Sequence, residues 1–406
     1  MLSVRAIYKI GKGPSSSHSM APARAAGHFL GTLRVVPSRI SVVLYGSLAA
    51  TGKGHLTDRA IRDALAPLTV EFQWQPKTTN AVHPNCMDFT AYNSDGNVIG
   101  THRYYSIGGG QLKDDAGLIV EGELLSYNSQ SFADILTFCR TAQCTLWSYL
   151  ETFDKPDLWL YLEQVWEVMR SSIEDGLKQS GELPGGLALK RRAGAMLECA
   201  NRRVGSLRDR ILLSAYALAV AEENAAGGTI VTAPTCGSAG VLPAILYFFW
   251  RHHDTDVQKL TRALGIAGLI GATVAQRASL SGAEVGCQGE IGAASAMAAG
   301  AAAYLLNGDN GQIEYAAEMG LEHFLGLTCD PINGLVQIPC IERNAFAAMR
   351  AMDCAAYALA TGGEHLVSLD DVIDVMNKTG RDMQAKYRET ARGGLAAIMK
   401  KKLPVK

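Results

Sequence analysis

The chain has 406 residues, 48% of them hydrophobic and 19% charged, with a formal net charge of -1. Its length exceeds what a single hydrophobic core usually supports, so two domains are expected. The near-zero charge offers no footprint for nucleic acid or an anionic membrane, which leaves small molecules, or a second copy in a homodimer, as expected partners.

The opening Met1-Leu2-Ser3-Val4-Arg5 runs into a polar Gly/Ser stretch and not an apolar leader. Apolar runs such as Val241 to Trp250 and Ala293 to Leu306 fall short of a membrane span. A cytoplasmic location is expected, where the nine cysteines read as thiols or metal ligands and not disulfides.

In chain order, Met20 to Leu33 reads as a short helix and Arg39 to Tyr45 as a β-branched strand. Leu56 to Ala66 has apolar positions at helical spacing, and Leu68 to Trp74 alternates with period two. Met87 to Tyr92 and Val98 to Ile107 flank the turn-forming Ser94-Asp95-Gly96-Asn97. From Ser131 onward Ala/Leu-rich helical segments dominate: Leu158 to Leu177, Ser206 to Glu223, Gly240 to Arg251, Val257 to Gln276, Ile291 to Leu306 and Glu342 to Leu359. A last helix starts at Ser368-Leu369-Asp370-Asp371, a pattern resembling a capping box. The expected fold class is α+β: an N-terminal α/β domain over residues 1–125 and a larger, mostly helical domain over 131–406, with a linker between about Gln111 and Gln130.

Three cysteines stand in bent, polar local sequence: Gly286-Cys287-Gln288-Gly289, Thr328-Cys329-Asp330-Pro331 and Pro339-Cys340-Ile341-Glu342-Arg343-Asn344. Three thiolates on one metal centre leave a coordination position open to substrate or water. Their separations do not match the CxxC pairs of structural zinc sites. Glycines after Cys287 that open a helix suit a thiolate, and Pro331 and Pro339 fix the other two loops.

Near the start, Gly13-Pro14-Ser15-Ser16-Ser17-His18-Ser19 presents hydroxyls and backbone donors at a helix start, suited to a carboxylate or phosphate, with His18 as a base. It reads equally well as a polar loop capping the helix. Thr51-Gly52-Lys53-Gly54-His55 is not a phosphate loop, because its glycine spacing is wrong and Gly54 follows the lysine. It reads as a substrate-facing loop or a structural turn. Gly108-Gly109-Gly110, Gly227-Gly228 and Thr235-Cys236-Gly237-Ser238 read as substrate walls or tight turns, and no lysine is singled out for pyridoxal phosphate. Cys86, in a loop with Asn85, and Cys236, beside Thr235, are secondary ligand candidates, and Asn85 and Thr235 are candidate substrate contacts. Cys139, Cys144, Cys199 and Cys354 lie in helical, apolar stretches as small buried hydrophobes.

The segments Gly13 to His18, Leu44-Tyr45-Gly46-Ser47-Leu48, Thr51 to His55, Glu223 to Gly228, Thr232-Ala233-Pro234-Thr235, Ser281 to Glu290, Gly326 to Pro331, Ile338 to Asn344 and Thr390 to Leu395 together resemble the bacterial iron-sulfur L-serine dehydratases in their single-chain form. The resemblance runs nearly end to end. It implies a β-type domain fused to an α-type domain, a [4Fe-4S] cluster on Cys287, Cys329 and Cys340, an iron acting as Lewis acid on the substrate hydroxyl, and no pyridoxal phosphate. It further implies an amino-acid substrate, with L-serine giving pyruvate and ammonia. His18 matches the proposed base, with His55 second, and Ser15, Ser16, Ser17, Ser19 and Lys53 are candidates for the substrate. Members of this type end in a cysteine, whereas this chain ends Lys402-Leu403-Pro404-Val405-Lys406, and its first domain is shortened between Asp58 and His83. The alternatives are a related lyase acting on another β-hydroxy acid, β-hydroxy amino acid or cysteine, an iron-sulfur sensor of amino acids or redox state, and a pyridoxal phosphate enzyme.

Overall fold

The strand Ile10–Lys12 (β1) pairs antiparallel with Thr229–Val231, far along the chain, so the first residues are tied to the later half of the molecule. The computed structural model describes residues 1–119, 127 and 129–402. The 125 boundary, part of the expected linker and the end Leu403 to Lys406 lie outside the described residues.

After β1 come the helix Ala21–Thr32 (α1), the strand Arg39–Tyr45 (β2), and the helices Gly46–Thr51 (α2) and Thr57–Leu65 (α3). The strands Thr69–Gln75 (β3), Cys86–Tyr92 (β4), Val98–Ser106 (β5), Leu112–Lys113 (β6) and Leu118–Ile119 (β7) complete a sheet in the order β3-β2-β4-β5-β6-β7. Only β2 and β3 pair in parallel, joined through α2 and α3. Buried Ile40, Val42 and Leu44 on β2 meet Phe29 of α1 and Ile61 and Leu65 of α3 in a small core. The β3 edge alternates exposed and half-buried residues, as a sheet with one solvated face does. The β4–β5 turn forms as expected, with Asn93 Oδ1 accepting from Asp95 and Asn97 N–H.

The helical body comprises Phe132–Ala142 (α4), Leu146–Phe153 (α5), Leu158–Lys178 (α6), Ala193–Asn201 (α7), Gly205–Ala225 (α8), strand Thr229–Val231 (β8), Val241–His252 (α9), Val257–Arg277 (α10), Gly282–Val285 (α11), Ile291–Leu305 (α12), Asn310–Glu322 (α13), Cys340–Ala360 (α14), Leu369–Asp382 (α15) and Gly394–Lys400 (α16). α12 is its axis. Fourteen of its residues are buried, and a helix apolar all round belongs inside a larger body. Its small Ala and Gly residues allow α9, α10, α13 and α14 to close on it. Among the described residues, no helix is long and apolar enough to cross a membrane.

Several sequence expectations need correcting. β6 and β7 fall inside the expected linker and extend the sheet. Val4, Ile7 and Tyr8 precede the sheet but lie in the helical core, where Tyr8 O–H donates to Leu264 O at 2.8 Å. Cys86 begins β4, and half-buried Cys144 sits between α4 and α5, not within a helix. The helices α5, α13 and α16 were not anticipated. α5 and α16 have only eight and seven residues, and short helices take their stability from docking on the core, which local periodicity does not reveal.

Candidate active site

The serine run is a π-helical turn, Ser16–Met20, leading directly into α1. Ser15 Oγ caps it by accepting His18 N–H at 3.1 Å. Ser19 Oγ donates to His55 O at 2.6 Å and thereby ties this turn to the loop after α2. That loop in turn lies on the helical body: a Cβ on Gly54 would stand 2.7 Å from Gly334 O, so glycine permits the approach. These contacts bring the His18 and His55 rings to 4.4 Å between centroids, both buried.

Hydrogen-bond direction assigns the tautomers. Thr51 O–H donates to Ser47 O, so its oxygen accepts from His55 Nδ1–H at 3.1 Å, and the lone pair is left on His55 Nε2. Ser47 O–H donates to Glu389 O at 2.7 Å, so Ser47 Oγ accepts from His18 Nε2–H at 3.3 Å. His18 Nδ1 then faces Ser17 Oγ at 2.9 Å and Glu389 Oε1 at 3.4 Å. Burial pushes His18 down to about 4, and burial together with His18 pushes His55 well below the usual imidazole value. Burial, then Glu290, pushes Glu389 well up. The His18–Glu389 contact is therefore a neutral hydrogen bond and not an ion pair. One ligand atom from each of His18, His55 and Glu389 lies within 4.8 Å of the others, a grouping that could hold a metal ion.

The three cysteines come from separate elements of the helical body. Cys287 lies in the turn Gly286–Gly289 ahead of α12, and Cys340 is the first residue of α14. Cys329 is bound on both sides by the C-terminal segment, donating N–H to Tyr387 O and accepting from Glu389 N–H. A hydrogen bond from Cys329, aided by the Arg343 guanidinium, lowers the Cys287 thiol to about 6 against the effect of burial. The same shared bond raises Cys329, and burial followed by the Cys287 charge raises Cys340. Glu290 is pushed up to about 8 by burial and by Cys287. Its Oε2 stands 3.8 Å from Cys329 Sγ.

A thiolate-bound inorganic group fits these residues. Three soft donors interact with one another, two of them buried and Cys340 half-buried, with the Arg343 guanidinium beside them to offset their charge. A Cβ on Gly282 would stand 3.2 Å from Cys329 Sγ, 2.8 Å from Glu290 Oε2 and 3.4 Å from Glu389 Oε2, so the missing side chain leaves room where these groups meet. Glu389 Oε2 is buried without a partner among the described residues.

The other anticipated residues divide. Asn85 is fully buried with neither amide atom bonded, and Ser16 makes no side-chain hydrogen bond among the described residues. Thr235 Oγ1 lies 3.0 Å from Ser238 Oγ and also bonds Glu290. Lys53 is not brought in: it is exposed, its Nζ 5.9 Å from the Trp74 ring. Cys86 and Cys236 are buried thiols pushed up by burial, and Cys236 Sγ contacts Met20 Sδ. Sequence reasoning gave no role to Ser47, Glu389, Glu290 or Arg343. Ser47, Glu290 and Arg343 stood in quoted motifs, whereas Glu389 had only its position before Thr390-Ala391-Arg392. Its backbone is in the left-handed region at φ 52, an unfavourable conformation held by bonds at both its N–H and its C=O.

The structure thus sets a histidine pair on the sheet-bearing part beside cysteines on the helical part, linked through Glu389. The family model of the serine dehydratase alpha chain matches residues 100–396, and that of the beta chain matches 3–69 and 67–117. The chain belongs to the serine dehydratase family. It is 39% identical to L-serine dehydratase of Streptomyces coelicolor (97% of this chain, 98% of the relative). L-serine dehydratase 2 of Escherichia coli is 40% identical (98% of each) and L-serine dehydratase of Helicobacter pylori is 36% identical (98% and 99%). These alignments, 448 to 452 residues long, exceed the chain's own length, so the relatives carry segments that it lacks. The two beta-chain matches meet at 67–69, inside the stretch expected to be shortened.

Proposed function

We propose that this chain is a carbon–oxygen lyase that removes water from L-serine to give pyruvate and ammonia, using a [4Fe-4S] cluster held by Cys287, Cys329 and Cys340 and no pyridoxal phosphate. The observation that carries the reading is three mutually interacting thiols, Cys287 and Cys329 buried and Cys340 half-buried, beside two neutral histidines. When bound, the cluster supplies a Lewis acid for the departing hydroxyl. His55 is the base: its Nε2 holds the lone pair and makes no hydrogen bond among the described residues, while both His18 nitrogens are engaged. This reverses the order of the two histidines expected from the motif. His18 takes the positioning role, passing the constraint of Ser47 and Glu389 to the ring packed against it. Ser15, Ser17 and Ser19 are turned to the turn itself and to the histidines, so the substrate's polar groups fall to Ser16, Asn85 and Thr235. The buried, unpartnered amide of Asn85 supports this assignment.

The reading includes a homodimer in the cytoplasm, a compartment suited to nine free thiols. The test is anaerobic iron and sulfide analysis coupled to ammonia release from L-serine. Cys329→Ala is expected to lose iron, sulfide and turnover together. Unchanged values in that variant would sink the proposal.

A further inference from the structure

Three glutamates, Glu314, Glu318 and Glu322, recur at four-residue spacing along one face of α13. The outer two are matched. Glu314 accepts Leu369 N–H at 2.7 Å and faces His365 Nε2 at 2.6 Å, and Glu322 lies 3.2 Å from His323 Nδ1. Glu318, between them, is 4% exposed and has no hydrogen bond or ion pair among the described residues. Burial, then Glu322, pushes its carboxyl up to about 7. Across from it on α14, Arg350 is directed to Asp353 at 3.8 Å, and Asp353 is shared with Arg210 at 3.5 Å.

Glu318 lines a cavity of about 550 Å³ between α13, α14 and the loop ahead of α15. Tyr315 and Tyr357 flank it edge to face at 6.2 Å, and Tyr315 stacks on His365 at 4.3 Å. A buried carboxyl without a partner is costly; Glu322 adds to that cost, and His365 offsets part of it. Aromatic rings beside such a carboxyl form the setting that receives organic cations. A metal ion is the poorer fit, because among the described residues the only grouping of three close ligand atoms is the one at His18.

We propose that this cavity binds a small organic ammonium compound, with Glu318 as its counter-ion and Tyr315 and Tyr357 against its cationic face. The site is separate from the cysteine and histidine cluster and does not depend on the reaction assigned there. The test is ligand-observed NMR on the full chain with n-butylammonium chloride, against 1-butanol and sodium chloride at matched ionic strength. Saturable binding of n-butylammonium alone is expected, weakened by about tenfold or more in Glu318→Gln, as when a charged partner is lost. Tyr357→Leu, at a half-exposed position, is expected to weaken it by a smaller factor and keeps the test open should Glu318→Gln not fold. Equal affinity of Glu318→Gln and the unaltered chain, no saturation, or equal binding of 1-butanol would overturn the proposal. So would a change of oligomeric state on sedimentation of Glu318→Gln without ligand, since the occupant would then be a side chain of a second copy.

Discussion

The sheet-bearing part and the helical body differ in how they hold their chemistry. The sheet has a small core and one solvated face, and it contributes His18 and His55 from a π-helical turn and a glycine-rich loop at its edge. The helical body surrounds α12 with a much larger core and contributes Cys287 and Cys340 at the starts of α12 and α14, and Cys329 from a loop bridged to the C-terminal segment. Rigid packing suits a donor set that must keep its geometry. A loop tied at a few hydrogen bonds suits a base that must meet a substrate.

If the division is real, the two kinds of substitution separate. Cys329→Ala should abolish both the inorganic content and turnover. His55→Gln should lower kcat by about 10²- to 10⁴-fold, the usual contribution of a general base, while iron and sulfide stay at full stoichiometry. Loss of iron in His55→Gln would join the two regions into one unit and end the comparison.

Folding stability gives the next largest effect. His18 has an ordinary value of 6.5 and is held at about 4 when folded. The unfolded chain therefore binds more protons between these values, and stability falls as pH drops from about 6.5 to about 4. The buried neutral ring accounts for a loss of about 3 kcal/mol across that window. His55 adds in the same direction. Chemical denaturation at several pH values should show the decline, with a shallower slope in His18→Gln; an equal slope would refute the assignment.

Smaller effects probe the tether between the regions. Ser47→Ala removes the hydroxyl that joins His18 to Glu389 O, and a cost of about 1–3 kcal/mol is expected, read as lowered kcat with KM little changed. In the helical body, Ser368→Ala removes the cap that accepts Asp371 N–H. It should cost about 1 kcal/mol in denaturant without altering kinetics. Lys53→Ala, at an exposed position, should leave kcat/KM unchanged.

Local pattern was informative wherever one segment decides its own structure. The strand Arg39–Tyr45, the β4–β5 turn and the Ser368 cap could be read because alternation, turn residues and capping chemistry act within a few residues. The pairing of Ile10–Lys12 with Thr229–Val231 could not, since three-residue strands carry little periodicity and the partner lies far along the chain. Glu389 was hidden for a related reason. Its importance comes from Cys329, Ser47 and His18, none of them its neighbour in sequence.

By itself the sequence determined the order of a sheet-bearing part before a helical one, the family motifs, and the residue types able to hold a thiolate-bound group and move a proton. Those follow from side-chain chemistry and short-range periodicity. Only the tertiary structure decided that the first residues belong to the helical core, that Lys53 is exposed, and that both His18 nitrogens are hydrogen-bonded while His55 Nε2 is not, among the described residues. Each of these depends on burial or hydrogen-bond direction, which arise only when distant segments meet.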